Sequence, residues 1–242
     1  MTKIPSSNRD RADKRLTLLH TSDLHLGSDS YPQEALEGFG AILDIARRVR
    51  VDGVLIAGDL FDRQGVPAEL VSYVFESLAG LDRTVVILPG NHDTLLTSNS
   101  HGFDGPLGEV HVMNDPVGEL IQFEGLGLSV WGRAVHNHEP AFHPLEGLPP
   151  RPSNGWYVVI GHGIVLEGTS MAERGSPITP QELAEANCDY IALGHTHVFR
   201  DVTRGPAQAF YSGAPSGGTN HTAALVTLEP GTGVSVESIP IP

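Results

Sequence analysis

Five short apolar runs, each ending in a cluster of Asp, Asn or His flanked by glycine, constrain this 242-residue chain more than any other feature. Each run has the length and composition of a buried strand, and each polar cluster is typical of the loop at a strand's end. In open α/β sheets, the loops beyond the carboxyl ends of parallel strands form one crevice. The pattern therefore predicts strands that deliver their polar side chains to a single site. The clusters lie at 22–25, 58–59, 90–93, 161–163 and 194–197.

Amphipathic helices are predicted between the first three clusters. Apolar residues recur at helical spacing in 33–49 and again in 67–81. The separations from Asp23 to Asp59 and from Asp59 to Asn91 each match about one βαβ unit. Successive strands are therefore expected to lie parallel, joined by right-handed crossovers.

The composition of the chain changes after the third cluster. Residues 94–108 are rich in Ser, Thr, Asn and Gly and predict a long surface loop, and a proline-rich connection covers 139–152. Short alternating runs at 110–113, 120–123 and 128–131 predict antiparallel strands. Further strands are predicted at 207–211, 223–228 and 234–239.

Two facing sheets with flanking helices fit this order of elements best, so the predicted fold class is α/β. Residues 16–242 are expected to form one domain, and residues 1–15, with mixed charges and a Pro-Ser-Ser-Asn stretch, are expected to be a flexible leader.

Composition limits the class of protein. A formal net charge of −14 opposes tight nonspecific binding of polyanions, although bound metals could reverse the sign locally. The single cysteine, Cys188, excludes an internal disulfide framework. No apolar stretch is long enough to cross a membrane, and the start of the chain lacks a secretion signal. We therefore expect a cytoplasmic protein without a membrane partner.

The polar clusters together have the composition of a metal site. Asp23 and His25 stand at alternate positions, which in an extended segment project to the same side, and His195 and His197 repeat this spacing. Asp59 has two oxygens and can bridge two ions. Further neutral oxygen and nitrogen ligands would come from Asn91 and His162.

Each fragment alone also fits a structural role, such as a helix cap for the Gly-Asp-Leu-Phe-Asp segment or a tight turn for Gly-Asn-His-Asp. Five such fragments at five strand ends favour a shared site over coincidence. Oxygen and nitrogen ligation without sulfur suits manganese, iron or zinc better than calcium, with manganese the first choice.

The motifs carry a family resemblance. Thr-Ser-Asp-Leu-His-Leu-Gly (21–27), Ala-Gly-Asp-Leu-Phe-Asp (57–62), Pro-Gly-Asn-His-Asp (89–93), Gly-His (161–162) and Gly-His-Thr-His-Val (194–198) resemble the calcineurin-like metallophosphoesterases, and among these the SbcD-type DNA-repair nucleases. The resemblance implies a four-layer α/β/β/α sandwich with mixed sheets and two divalent ions. It implies that one ion is held by Asp23, His25, Asp59 and His197, and the other by Asp59, Asn91, His162 and His195.

Two cations about 3.5–4 Å apart can lower the pKa of a bridging water and clamp phosphoryl oxygens for in-line attack by hydroxide. His92 stands beside Asn91 and is followed by Asp93, so we expect it to be a general acid oriented by a carboxylate. The alternative is a structural histidine near the site. His136 and His138 also alternate, but their loop context favours ordinary surface or core residues.

The expected function is a dimetal phosphodiesterase similar to an exonuclease, acting on a small or single-stranded phosphodiester. A phosphomonoesterase or protein phosphatase uses nearly the same ligands and stays an alternative. A non-catalytic scaffold on the same fold is a remote one, because every ligand-type residue is retained. The stretch after His197 reads as strands, which argues against the DNA-capping domain and partner-ATPase-binding helices of longer nucleases.

Overall fold

The computed structural model of the protein describes residues 14–63, 65–97, 107–167 and 175–242. Within these ranges the chain forms strands and helices in alternation at first and mainly strands later. The strands are β1 (Leu16–Thr21), β2 (Gly53–Ala57), β3 (Thr84–Leu88), β4 (Val110–Val112), β5 (Glu119–Phe123), β6 (Leu128–Gly132), β7 (Trp156–His162), β8 (Ile164–Val165), β9 (Pro177–Ile178), β10 (Tyr190–Gly194), β11 (Phe199–Asp201), β12 (Gln208–Ser212), β13 (Thr222–Glu229) and β14 (Gly233–Pro240). The helices are α1 (Pro32–Val49), α2 (Ala68–Ala79), α3 (Thr94–Thr97) and α4 (Pro180–Glu185).

The strands form two mixed six-stranded sheets. The first has the order β14-β13-β1-β2-β3-β4, with β1 to β4 parallel and β13 antiparallel to both of its neighbours. The second has the order β11-β12-β10-β7-β6-β5, in which the four central strands run parallel and the two edge strands antiparallel. A separate short ladder joins β8 to β9.

The sheets pack face to face, with helices outside. Because side chains alternate along a strand, each central strand contributes to two apolar layers. Leu55 and Val86 of the first sheet share one cluster with Val158 and Ala192 of the second. The outer face of the first sheet packs against α1 and α2, and that of the second against Leu183 of α4. This is the expected α/β/β/α arrangement, and in the part of the chain that the structure describes the fourth layer contains the short helix α4.

Most predicted elements are present with ends shifted by one or two residues, but one pairing differs. The run at 110–113 was predicted to be antiparallel, and β4 instead pairs parallel with β3, matching Val110 to Val85. The prediction of antiparallel strands holds for β5 and β6. An alternating run specifies a strand and its faces but not its partner, which is chosen by contacts distant in sequence.

Two loop predictions fall partly on residues outside the description. The predicted loop at 94–108 begins with the short helix α3, and 98–106 lie outside the described residues. Of the predicted leader, 1–13 lie outside as well. Its last two residues are held in place: Trp156 Nε1 donates to the Lys14 carbonyl at 2.7 Å, and Arg15 pairs with Glu229 at 2.9 Å.

The carboxyl ends of β1, β2 and β3 in the first sheet meet those of β7 and β10 in the second. The approach is closest at Gly194, where an added Cβ would stand 1.8 Å from the Ala57 carbonyl oxygen. Only glycine fits between the sheets here, and this contact brings the polar loops together. None of the helices in the described ranges combines the length and hydropathy needed to cross a bilayer.

Candidate metal centre

Seven ligand-type side chains from the five strand ends gather at this edge. Asp23, Asp59 and His162 are almost fully buried, whereas Asn91 and His195 are partly exposed. Burying two carboxylates without compensation is costly, so the cluster requires nearby positive charge or hydrogen-bond donors.

The first loop reaches the site by a different backbone path from the one predicted. Asp23 and His25 were expected to share a face of an extended segment, but β1 ends at Thr21 and both residues have positive φ, of 55° and 49°. Asp59 and His195 also have positive φ, of 54° and 95°. A positive φ is unfavourable for residues other than glycine. Such conformations cluster at functional sites, where the surrounding structure imposes them.

One group of ligand atoms comprises Asp23, His25 and His197, whose donor atoms lie within 4.8 Å of one another. His197 Nε2 lies 3.5 Å from Asp23 Oδ1, and His25 Nε2 lies 3.8 Å from Asp59 Oδ2. The Asp23 carboxylate also accepts from the Ser22 hydroxyl at 2.5 Å and from the His195 N–H at 3.0 Å. These donors fix the orientation of the Asp23 carboxylate.

A second group comprises Asp59, His162 and His195. His162 Nε2 lies 3.3 Å from Asp59 Oδ2 and 3.0 Å from Asn91 Oδ1, and His195 Nδ1 lies 3.1 Å from the same Asn91 oxygen. Asn91 therefore belongs to this group in space. Asp59 adjoins both groups, through His25 on one side and His162 on the other.

The electrostatics follow from burial and from the pairing of carboxylates with imidazoles. Burial would raise the pKa of Asp59, but the neighbouring His162 and the His92 N–H outweigh it and lower that pKa. Burial would lower the pKa of His162, yet the Asp59 carboxylate raises it to about 9. Burial lowers the pKa of His195 to about 4, and the neighbouring His162 adds to this effect.

The residues fit divalent ions. The donors are carboxylate and amide oxygens and imidazole nitrogens, the set that manganese, iron and zinc accept. His25 Nδ1 is engaged by Asp62 Oδ1 at 2.9 Å, while its buried Nε2 has no hydrogen-bond partner within the described residues. A buried ring nitrogen without a partner, facing two carboxylates, is the arrangement of a metal ligand oriented from behind by a third carboxylate.

His92 lies at the mouth of the cluster, but Asp93 does not orient it as expected. The Asp93 carboxylate points inward and accepts from the N–H groups of Phe61 at 2.7 Å, Gly90 at 2.9 Å and Leu60 at 3.1 Å. Burial, reinforced by the Asp59 charge, raises the pKa of Asp93 to about 7. Adjacent residues in a turn point in different directions, so Asp93 shapes the loop instead of contacting the His92 ring.

The carboxylate beside His92 belongs to Asp62, which the sequence analysis did not assign. His92 Nδ1 lies 3.0 Å from the Asp62 carbonyl oxygen and 3.6 Å from Asp62 Oδ1. His92 is also close enough to His25 and Asp59 to form a third group of ligand atoms with them. Asp62 could have been chosen from the sequence, because it is the last residue of the Gly-Asp-Leu-Phe-Asp motif that follows β2.

Two further residues to which the sequence assigned no role at the site lie near the cluster. The Ser212 hydroxyl lies 2.9 Å from that of Ser22, which supports Asp23. The His138 ring lies near that of His195, tilted by 50° with ring centroids 5.2 Å apart, and its Nδ1 lies 3.0 Å from the Ser176 hydroxyl. His136, its predicted companion, contacts the Asn114 carbonyl instead. The two histidines of this loop therefore do not form a site together.

Comparison with known proteins agrees with the geometry. The family model of the calcineurin-like phosphoesterases matches residues 16–199. The chain is 25% identical to the SbcD nuclease subunit of Bacillus subtilis (strain 168), over 89% of this chain and 67% of that protein. It is 27% identical to the DNA double-strand break repair protein Mre11 of Aeropyrum pernix, over 81% of this chain and 52% of that protein. The chain thus spans roughly half to two thirds of the length of these relatives.

A solved structure shares the fold. The protein TT1561 of Thermus thermophilus superposes with a TM-score of 0.63 at 14% identity, over 95% of this chain and all of that one. At this identity the likeness concerns the fold alone. The match of the family model covers most of the chain and includes all five polar clusters. The chain belongs to the calcineurin-like phosphoesterase family.

Proposed function

We propose that this protein is a dimetal phosphodiesterase similar to the nuclease relatives, acting on a small or single-stranded phosphodiester. The observation that carries the proposal is that Asp59, a member of the second group of ligand atoms, also lies 3.8 Å from His25 of the first, beside a cavity of about 320 Å³ open to solvent. One ion would be held by Asp23, His25, Asp59 and His197, and the other by Asp59, Asn91, His162 and His195.

When bound, a pair of divalent ions, manganese by preference, would supply Lewis-acid activation of the phosphoryl group and a hydroxide nucleophile at neutral pH. The side chains of the protein would position the ions and neutralise their charge. His162 donates from Nδ1 to the Ala57 carbonyl at 2.8 Å, which leaves Nε2 for a cation. In the same way, Asp62 engages Nδ1 of His25 and leaves the Nε2 of that ring for a cation.

His92 is the group we assign to protonate the leaving oxygen. Its Nδ1 is engaged by Asp62, so Nε2 is the ring nitrogen that would carry the transferred proton. That proton passes to the leaving oxygen as the P–O bond breaks, and the neutral ring regains a proton from solvent. The ring is partly exposed at the cavity wall, as an acid that must meet a substrate requires.

Charge and cavity size support the choice of substrate. A net charge of −14 repels an extended polyanion, and a cavity of about 320 Å³ is at the lower end for small-ligand sites. The nuclease names of the relatives favour a diester of nucleic-acid type over a monoester.

Hydrolysis rates separate the candidate activities. With manganese added, we expect faster turnover of bis(p-nitrophenyl) phosphate than of p-nitrophenyl phosphate, and cleavage of single-stranded DNA in preference to duplex. Turnover of the monoester alone would favour a phosphatase. No turnover of either ester by protein that holds two metal equivalents would overturn the proposal and leave the scaffold.

The role of His92 is tested by varying the leaving group. His92→Ala should keep both metals and lose activity on a DNA phosphodiester by about 10²–10⁴-fold, because an alkoxide leaving group needs the proton. The loss should be much smaller for bis(p-nitrophenyl) phosphate, whose p-nitrophenolate leaves without protonation. His136→Ala, at an exposed loop position, is the matched control. Equal losses on both substrates would contradict the acid role.

A further inference from the structure

The cavity beside the metal cluster has a wall that phosphoester chemistry does not use. Its lining includes four of the candidate ligands together with Asp62 and His92, and it also includes Ser28, Ser30 and Tyr31. These three residues lie between the first polar cluster and α1. Tyr31 is the one lining residue that offers a large neutral ring, among the described residues around this cavity.

The position of the Tyr31 ring is fixed by its neighbours. Its phenol end packs against the backbone of Gly217, where an added Cβ would stand 2.7 Å from Tyr31 Cζ. The Gly217 N–H donates to Glu34 Oε1 at 3.0 Å, and Glu34 also pairs with His221 Nε2 at 2.9 Å. The loop that supports the ring is thus tied to the first turn of α1. A ring held in this way loses little freedom when it contacts a ligand.

The phenol remains neutral at the pH of catalysis. Burial and the nearby Asp62 carboxylate raise the pKa of Tyr31, against an opposing hydrogen bond from Ser28. Ser28 is itself buried, and its hydroxyl accepts from the Ser30 N–H at 3.3 Å. The wall is therefore uncharged and preorganised. It contrasts with the carboxylates and imidazoles elsewhere in the cavity lining.

A phosphodiester whose phosphoryl group lies at the ligand cluster can place one of its two substituents in the rest of the cavity. We infer that Tyr31 is a specificity residue that packs against the base of a nucleoside substituent, so that the site takes nucleoside phosphodiesters singly, at a strand end or as a small nucleotide. Aromatic side chains stack on any base, and the cavity volume of about 320 Å³ suits one nucleoside and excludes a duplex. This inference rests on the proposed phosphodiesterase function.

Two synthetic diesters with the same leaving group test the inference. They are thymidine 5′-(p-nitrophenyl phosphate) and methyl p-nitrophenyl phosphate, which differ only in the substituent that remains on phosphorus. The ratio of their kcat/KM values reports recognition of the nucleoside. Tyr31→Leu should lower this ratio about tenfold, mainly through KM of the thymidine ester, because stacking is present in both ground and transition states. Tyr31→Phe should keep the ratio.

Controls distinguish specificity from structure. Tyr73→Leu replaces an exposed tyrosine of α2, remote from the cavity, and should leave the ratio unchanged. Binding of thymidine 5′-monophosphate by calorimetry should weaken about tenfold in Tyr31→Leu and not in Tyr31→Phe, while metal content stays at the wild-type level.

The two proposals fail in different ways. If wild-type protein with manganese hydrolyses neither diester, the proposed function is wrong. If it hydrolyses both and Tyr31→Leu leaves the ratio and the monophosphate affinity unchanged, the role of Tyr31 is wrong and the function stands. An equal loss on both diesters, with no change in ratio, would also overturn the specificity role, because it would indicate general damage to the site.

Discussion

The Nδ1–H of His162, in the second sheet, donates to the main-chain carbonyl of Ala57, in the first sheet, at 2.8 Å. A carbonyl can only accept, so this bond fixes the tautomer of the ring and directs Nε2 toward Asp59 and Asn91. The contact therefore joins the two sheets and orients a candidate metal ligand at once. The geometry of the site therefore depends on how the two sheets pack.

Asp59 lies between the two groups of ligand atoms, with His25 Nε2 at 3.8 Å and His162 Nε2 at 3.3 Å from its Oδ2, and we propose that it is shared by the two ions. Asp59→Asn should therefore lower the bound manganese from two equivalents to one or fewer and reduce diester hydrolysis by about a hundredfold or more. Metal content after dialysis, measured by inductively coupled plasma spectrometry, checks this. Asp44→Asn, an exposed position on α1, should bind metal like the wild type. Two tightly bound equivalents in the Asp59→Asn variant would contradict a shared ligand.

Asp62 contacts His25 Nδ1 at 2.9 Å and lies beside His92, without belonging to either group of proposed ligands. Asp62→Asn should weaken metal affinity or activity by about 10–100-fold, because a supporting carboxylate orients the ring and makes it a better donor. Calorimetric titration with manganese gives the affinity. Asp82→Asn serves as the control, at an exposed turn whose positive φ asparagine tolerates. Unchanged affinity and rate in Asp62→Asn would show that His25 needs no support.

Gly194 allows the two sheets to approach each other at the site. In Gly194→Ala the new Cβ would meet the Ala57 carbonyl oxygen at 1.8 Å, and both are backbone-anchored, so one sheet must shift. We expect a loss of about 3 kcal/mol or more in the free energy of unfolding, measured in urea. Gly40→Ala, within α1 and with open space around it, should instead gain about 0.5–1 kcal/mol. Equal stabilities for the two variants would refute the close approach.

His20 makes the stability depend on pH. Its ring is fully buried with Nδ1 2.8 Å from the Tyr190 hydroxyl, and burial lowers its pKa from 6.5 to about 3. The folded state therefore keeps His20 neutral, while the unfolded chain takes up a proton below pH 6.5. This contribution to stability is complete above that pH and falls by up to about 1.4 kcal/mol per pH unit below it, until about pH 3.

Urea unfolding of metal-free protein at pH 7 and pH 5 measures this linkage. His20→Gln, which cannot titrate, should lose less stability between the two pH values than the wild type. His136→Gln removes an exposed histidine and should follow the wild type. A pH dependence of the His20→Gln variant as steep as that of the wild type would rule out His20 as its source.

Local sequence patterns predicted those residues of the candidate site that directly follow a strand. Asp23, Asp59, Asn91, His162 and His197 could be chosen from the sequence because each follows an apolar run, and the structure gathers them. The sequence pattern failed to predict the carboxylate partner of His92, the residue after Asn91. It paired His92 with its chain neighbour Asp93, whereas the structure pairs His92 with Asp62, thirty positions earlier in the chain.

The amino-acid sequence by itself determined most of the segments that form long helices and central strands, the faces that they bury, and that carboxylate, amide and imidazole groups follow the strand ends. These properties arise from periodicity and turn chemistry, which operate within a few residues. Only the tertiary structure decided that β4 pairs parallel with β3, that Asp93 points inward, and that Tyr31 lines the same cavity as the candidate ligands. Such choices depend on contacts between residues far apart in the chain, where packing of whole sheets outweighs local preference.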